Sequence, residues 1–296
     1  MISIAMATYN GAKYIKEQID SILNQTIQDF ELVICDDCST DNTIKILQEY
    51  AQIDSRFHVY LNEKNLGFKK NFEKAISLCK GEYIALSDQD DIWEPNHLEL
   101  LLDAIGDNVL ACGNSAITDE KGNNLGMTLR EQETLDYIPL DNLKKAVSIL
   151  IYRNPYQGAS MLMKRDLLKY ILPFPEGGNF HDTWIALVSC FCGGLVYVNN
   201  ILLKYRRTNN NVTEHKAKKR SRYYHFRGHI LWKDRKPMID EIIDRVENLT
   251  SKDMLLLKQV KNMIERNENK WGRTKNDIYK AIHFRTIYSY KFRLFF

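Results

Sequence analysis

Phe30-Glu31-Leu32-Val33-Ile34-Cys35-Asp36-Asp37-Cys38-Ser39-Thr40-Asp41 is a short apolar run that ends on two acids and then turns polar. Phe30 to Cys35 reads as a strand, too short for a helix and rich in β-branched and aromatic side chains. Upstream, residues 2–7 read as a second buried strand, after which Ile15, Ile19, Ile22 and Leu23 recur with helical period. Downstream, Ile44, Leu47 and Ala51 mark a helix that Ser39 or Thr40 is placed to cap. Phe57 to Leu61 is a third strand, Phe68, Phe72, Ala75, Ile76 and Cys79 line a third helix, and Tyr83 to Leu86 is a fourth strand. Strands alternating with helices of this length predict an α/β fold built on a parallel sheet with right-handed crossovers. In such a sheet ligands sit beyond the carboxyl ends of the strands.

Past residue 100 the pattern loosens. Leu98, Leu101, Leu102 and Ile105 finish a helix, and Val109 to Ile117 reads as a strand with a turn over Asp119 to Asn124. Ala159 to Met163 and Leu195 to Tyr205 are further strands, with a helix over Thr183 to Cys190 between them. From 215 onward the signal is helical and basic. No internal repeat or low-complexity tract is found.

The 296 residues, 44% hydrophobic and 27% charged, suffice to bury a core as one large domain or two small ones. No apolar run approaches the roughly 20 residues that span a bilayer. The N-terminus carries no basic, cleavable leader, so a cytosolic body is expected. Cys35 and Cys38 have the spacing of half a zinc knuckle, but no second pair follows, and reduced core thiols are the expectation for all six cysteines. Net charge is +3, yet Lys204 to Lys236 holds twelve Lys/Arg against Glu214 and Asp234. That local +10 leaves −7 for the remainder and points to an anionic partner.

Three predicted strand ends carry chemistry. Asp88-Gln89-Asp90-Asp91 crowds three carboxylates, which repel unless a cation sits among them. Mg²⁺ takes one or two carboxylates plus phosphate oxygens, which suits such a turn; a solvated acidic cap with Pro95 near the next helix is the bland alternative. Asp36 and Asp37 can accept from a ribose or a base N–H, or simply favour a helix N-terminus. Thr8-Tyr9-Asn10-Gly11 lacks the glycines of a dinucleotide fingerprint, and no Walker lysine loop is present. Asp182, after His181, is either a helix N-cap or a general base. Tyr205-Arg206-Arg207 ends the last strand, where arginines hold a diphosphate well or form a solvated edge.

Taken together these segments resemble the family 2 glycosyltransferases. Ile4 to Gly11, Ser21-Ile22-Leu23-Asn24-Gln25-Thr26 and the stretch from Phe30 to Asp41 carry the resemblance, with Asn65-Leu66-Gly67 and Asn71 matching the next loop. Ser87-Asp88-Gln89-Asp90-Asp91-Ile92-Trp93, His181-Asp182-x-Trp184 and Tyr205-Arg206 are similar to a bacterial branch that includes rhamnosyltransferases and other cell-surface polysaccharide enzymes.

The resemblance implies a GT-A fold, a Rossmann-like, mostly parallel sheet flanked by helices, with a C-terminal helical extension. It divides the chain into a nucleotide-sugar-binding half (1–100), an acceptor-binding half (101–211) and the basic extension (212–296). Thr8, Tyr9 and Asp37 would contact base and ribose with Asp36 adjacent. Asn10, Asn65, Gly67, Asn71, Gln89 and Arg206 would complete the donor site. Asp88 would reach the ribose or sugar, and Asp90, with Asp88 and Asp91, would ligate Mg²⁺ or Mn²⁺ on the diphosphate. Asp182 would be the base. Where relatives often carry His after Tyr-Arg-x, this chain has Thr208, and His215 is the candidate substitute.

The implied reaction is an inverting transfer from a UDP- or dTDP-sugar to an acceptor hydroxyl in O-antigen or capsule assembly. The acceptor would be a polyprenyl-diphosphate-linked or other glycan. The basic aromatic region from His215 suits an anionic membrane surface, which would put the enzyme at the inner face of the cell membrane, or else packing on the core. Two rivals fit less well. A nucleotidyltransferase needs a Gly-rich basic loop after the first strand, and a nucleic-acid-binding protein leaves the aspartates unexplained, so no nucleic-acid partner is expected.

Overall fold

A computed structural model of the chain describes residues 1–132, 141–151, 154–176, 180–208 and 232–268. The N-terminal part alternates as expected: β1 (Ile2–Thr8), α1 (Ile15–Leu23), β2 (Phe30–Asp36), α2 (Thr43–Ile53), β3 (Phe57–Leu61), α3 (Phe68–Leu78) and β4 (Tyr83–Ser87). Then come β5 (Ile92–Trp93), α4 (His97–Ile105), β6 (Leu110–Thr118), β7 (Asn124–Thr128), α5 (Leu129–Gln132) and α6 (Asn142–Ile151). β8 (Met161–Lys164), α7 (Leu168–Ile171), α8 (His181–Ser189), β9 (Leu195–Arg206), α9 (Trp232–Arg245) and α10 (Ser251–Glu268) follow.

The described strands form one sheet in the order β3-β2-β1-β4-β8-β6-β9-β5, with β7 paired to β6. β1 pairs in parallel with β2 and β4, and β6 with β9, but β8 runs antiparallel to both β4 and β6. The sheet is therefore mixed where the sequence suggested mostly parallel. The reason is local: Ala159 and Ser160, expected to start the strand, wind with Gly158 into a 3₁₀ turn at the carboxyl rim, so β8 enters the sheet from that end. The α2 cap also differs. Helix α2 follows Asn42, and the Asp41 carboxylate accepts the Thr43 N–H at 2.9 Å. Ser39 instead turns back to Asp36.

Period 2 sorts each central strand into two layers. Ile4, Met6, Leu32 and Ile34 pack with Ile15, Ile19, Ile22, Leu47, Leu98 and Leu101 on the α1–α2–α4 side. Ala5, Val33, Cys35, Ile84 and Leu86 face the other side, where α3, α6 and α8 lie. Helices α9 and α10 join that second layer through Met238, Ile239, Ile242, Leu256, Leu257, Val260 and Ile264, all nearly fully buried. Arg245 lies over the Trp184 ring, 5.6 Å from its centroid, and donates to Pro173 O at 2.7 Å. Lys261 pairs with Asp240 and Lys236 with Glu265 across the helical hairpin.

The described part of the extension is thus a layer of the core. His215 and the aromatic residues from Trp271 to Phe296, on which membrane contact was expected to rest, lie outside the described residues. No described helix is long and apolar enough to cross a membrane.

Because Ile242 and Trp184 share one core, Ile242→Ala should cost about 2–5 kcal/mol and lower a single melting transition. Two separate transitions, with the catalytic part unmoved, would show that the hairpin is an independent unit.

Candidate active site

The strand register brings the loops together. Thr8 pairs with Asp36 and Met6 with Ser87, so the ends of β1, β2 and β4 share one rim with those of β6 and β9. The first two loops interlock: Asn10 N–H donates to Ser39 Oγ, Thr40 N–H to Asn10 Oδ1, and Gly11 N–H to Thr43 Oγ1, each at 2.8 Å. Asn10 (φ 48°) and Cys38 (φ 66°) both adopt the left-handed region, local strain of the kind that collects at functional sites.

Several expected donor-site residues are committed to this framework. Asp36 is fully buried and accepts from Thr8 Oγ1 (2.8 Å), Ser39 N–H (2.8 Å) and Ser39 Oγ (2.6 Å). Asp37 accepts from Asn62 Nδ2 (2.8 Å), Leu66 N–H (2.7 Å) and Gly67 N–H (2.8 Å). Asn65 Nδ2 donates to Asp37 O, and Asn71 bridges Asn62 and Cys35 O. Asn65, Gly67 and Asn71 therefore build the cradle of Asp37, with Asn62 as a member that sequence reading did not single out. Tyr9 stands out from this frame, half exposed at 49%.

The acid turn is held from two sides. Gln89 makes paired bonds to the Tyr9 backbone, Nε2 to O at 3.0 Å and Oε1 from N–H at 2.9 Å. On the other side Arg206, 2% exposed, donates its backbone N–H to Asp91 Oδ1 (3.2 Å) and its Nε to Asp90 O (3.0 Å). Its guanidinium also bonds Glu120 O and the Glu17 carboxylate and lies over the Tyr14 ring. Arg206 is thus a brace beneath the acids. The neighbouring Arg207 keeps buried Nε and Nη2 atoms without a hydrogen-bond partner among the described residues.

The acids themselves are electrostatically strained. Burial, then the nearby charges of Asp90 and Asp182, push Asp88 up to about 7. Burial pushes Asp90 up to about 6, against the pull of Arg206. Asp91 is raised well above the usual carboxylate range, by burial and by both acidic neighbours, and its Oδ2 has no partner among the described residues. A divalent cation fits this donor set, since hard carboxylate oxygens with an orphaned buried atom among them are what Mg²⁺ or Mn²⁺ relieves. Among the described residues no trio of His, Cys, Asp or Glu forms a preformed metal cage.

Local sequence suggested Asp182 as a helix N-cap; in the structure Phe180 takes that place and Asp182 lies two positions further on, in the first turn of α8. Its carboxylate accepts the Thr183 N–H and Oγ1. Burial pushes it up to about 6, opposed by Thr183, Asn154 and the charge of Arg235 from α9. The preceding His181 is buried against the Phe72 ring, centroids 4.2 Å apart, and burial holds it neutral, down to about 3. Gly158 admits both: a Cβ there would stand 3.2 Å from His181 Nε2 and 3.4 Å from Asp182 Cβ. The charge of Asp182, distant in sequence, bears on Asp88 across the rim.

A mixed, curled sheet flanked by helices, with its loops gathered at one rim, is the architecture of the GT-A glycosyltransferases. The mannosyltransferase of Pyrobaculum calidifontis in complex with GDP-Man and Mn²⁺ superposes with a TM-score of 0.58 at 15% identity, covering 98% of this chain and 81% of that one. S. aureus TarS 1–349 in complex with UDP-GlcNAc gives 0.57 at 17% identity, over 88% and 70%.

The chain belongs to glycosyl transferase family 2, whose model matches residues 3–172. It is 32% identical over 225 residues to TuaG of Bacillus subtilis, named for teichuronic acid biosynthesis, covering 74% of this chain and 83% of that one. It is 36% identical over 219 residues to the glycosyltransferase GlyG of Streptococcus pneumoniae, covering 72% of each.

Removing one charge should relax the acid turn. Asp88 is raised above its unfolded value, so its ionised form destabilises the fold at neutral pH, and this penalty fades as pH falls from about 7 toward 4. Asp88→Asn should therefore raise stability by roughly 1–3 kcal/mol at pH 8 and by nearly nothing at pH 4. Melting curves showing the same difference at both pH values would contradict the assignment of strain to this carboxylate.

Proposed function

We propose that the chain transfers one sugar, with inversion, from a UDP- or dTDP-sugar to an acceptor hydroxyl in the assembly of a bacterial surface polysaccharide such as O-antigen or capsule. The observation that carries the reading is that the sheet register brings the Tyr9 loop, the Asp37 cradle and the Asp88–Asp91 turn to one rim, where the charge of Asp182 also bears on Asp88. The name of TuaG, and the nucleotide sugars held by TarS and the mannosyltransferase, support the same class of reaction.

In this reading Tyr9 offers its exposed ring to the base, and the cradle around Asp37 fixes the depth at which base and ribose stop. Thr8, Asn10 and Asp36 hold that loop in shape. Asp88 and Asp90, with Asp91 behind them, would hold Mg²⁺ or Mn²⁺, which when bound stabilises the charge that grows on the departing diphosphate. Arg207, which follows Arg206 in the chain and has two guanidinium nitrogens without a partner among the described residues, is assigned to the diphosphate oxygens. Arg206 keeps Asp90 and Asp91 in place from below.

Asp182 takes the proton from the acceptor hydroxyl as that oxygen attacks the anomeric carbon from the face opposite the leaving group. One displacement inverts the configuration, so one base suffices. Burial raises the basicity of Asp182, while the start of α8 and the Thr183 N–H keep its charged form available at neutral pH.

Asp182→Asn should bind UDP with Mn²⁺ as the wild type does and lose about 10²–10⁴-fold in kcat. A protonated Asp182 cannot accept a proton, so kcat of the wild type should fall roughly tenfold per pH unit below about 6. Wild-type turnover by Asp182→Asn ends the assignment. Asp90→Ala should abolish the gain in UDP affinity that Mn²⁺ brings, and calorimetry showing that gain intact would remove Asp90 from the ligand set.

A further inference from the structure

Gly11 and Gln89 have a relation that neither base contact nor metal binding explains. Gly11 has an ordinary backbone, so an alanine would suffer no conformational strain there. It would nevertheless meet Gln89, because a Cβ on Gly11 falls 2.3 Å from Oε1 and 2.7 Å from Cδ. The Gln89 side chain occupies the space beside Gly11 while it makes both of its bonds to the Tyr9 backbone. Those bonds span 80 positions of sequence and join the loop carrying Tyr9 to the turn carrying Asp88 and Asp90.

We propose that Gln89 is a positioning residue, a latch that sets the distance between the base-holding loop and the acid turn, and that Gly11 is small in order to let the latch close. The proposal rests on the donor reading above. A nucleoside diphosphate is held at two ends, the base at Tyr9 and the diphosphate at Asp90. Its affinity depends on whether those ends are spaced before it arrives, since a preorganised site loses less freedom on binding. A side-chain amide is suited to this, because it offers one donor and one acceptor to the donor–acceptor pair of one residue's backbone. The other loop contacts remain when the latch is open: Gly11 N–H still reaches Thr43, and Asn10 still reaches Ser39 and Thr40.

The latch is tested by a double-mutant cycle. Gly11→Ala pushes the Gln89 side chain aside without blocking the fold, so Gly11→Ala and Gln89→Ser should each lower the melting temperature by a few degrees. The double variant should match Gln89→Ser alone, and additive losses overturn the proposal. Calorimetry with UDP and Mn²⁺, then with dTDP and Mn²⁺, supplies the second readout. Both single variants, and Gln89→Met, which keeps the bulk and loses the bonds, should weaken binding of whichever nucleotide the wild type takes by roughly tenfold. With a glycosyl donor the loss should fall on KM, leaving kcat within about threefold. Wild-type affinity in Gln89→Met overturns the latch. If the wild type binds neither nucleotide, the donor reading fails, while the melting cycle still decides whether Gln89 and Gly11 are coupled.

Discussion

Negative charge gathered where water is scarce is the constraint on which this molecule is organised. Asp88, Asp90, Asp91 and Asp182 are all raised above the ordinary carboxylate range, with burial the largest cause in each. Left to itself such a turn would spread into solvent. It is kept together by neighbours of opposite kinds: the buried Arg206 below, itself anchored by Glu17, Glu120 O and the Tyr14 ring, and the neutral Gln89 amide above. Neutralising the acids with a side-chain cation would fill the place a substrate needs. Arg206 avoids this by meeting Asp90 through its carbonyl and Asp91 through a backbone N–H.

The sequence makes part of this legible and hides the rest for a physical reason. β1 to β4 and their helices follow from local periodicity, and the acids at their ends stand out because carboxylates so close together need an explanation. The partners of those acids do not stand out. Glu17 and Arg206 are 189 positions apart, and Asn62 reaches Asp37 across 25. Glu17 reads locally as an exposed helix acid and Asn62 as a loop amide, and only the register of the sheet gives them their roles. The antiparallel course of β8 was hidden in the same way. Met161 to Lys164 would satisfy a strand in either direction, and what decides is that the preceding chain arrives at the carboxyl rim. Asp182 was legible as an alternative between cap and base, and its place in the first turn of α8, past Phe180, sets the cap reading aside.

The excess positive charge of the later sequence divides in two. In the described hairpin Lys236, Arg245 and Lys261 are paired with acids of the same hairpin, while the apolar faces of α9 and α10 complete the layer over α6 and α8. Those three charges are thus used within the hairpin. Arg235 is the link between the two halves of the problem. It stands near the start of α9, and its charge acts on Asp182. A helix added behind the catalytic layer thereby adjusts the proton affinity of the residue assigned as base.

Stability and function pull against each other at this rim. An acid pushed up to about 7 by burial and by its acidic neighbours, as Asp88 is, costs stability at neutral pH while it is ionised. The sheet tolerates it because its two apolar layers are extensive and the strained residues lie in loops, where a local shift leaves the ladders of β1, β2 and β4 intact. A bound cation and diphosphate would remove most of the repulsion at once, and whatever relieves strain only in the loaded state adds to the affinity for that state. The strain is thus also the reason the rim should select a doubly anionic, cation-bearing ligand over a neutral one: a neutral sugar leaves the acids as unsatisfied as it found them.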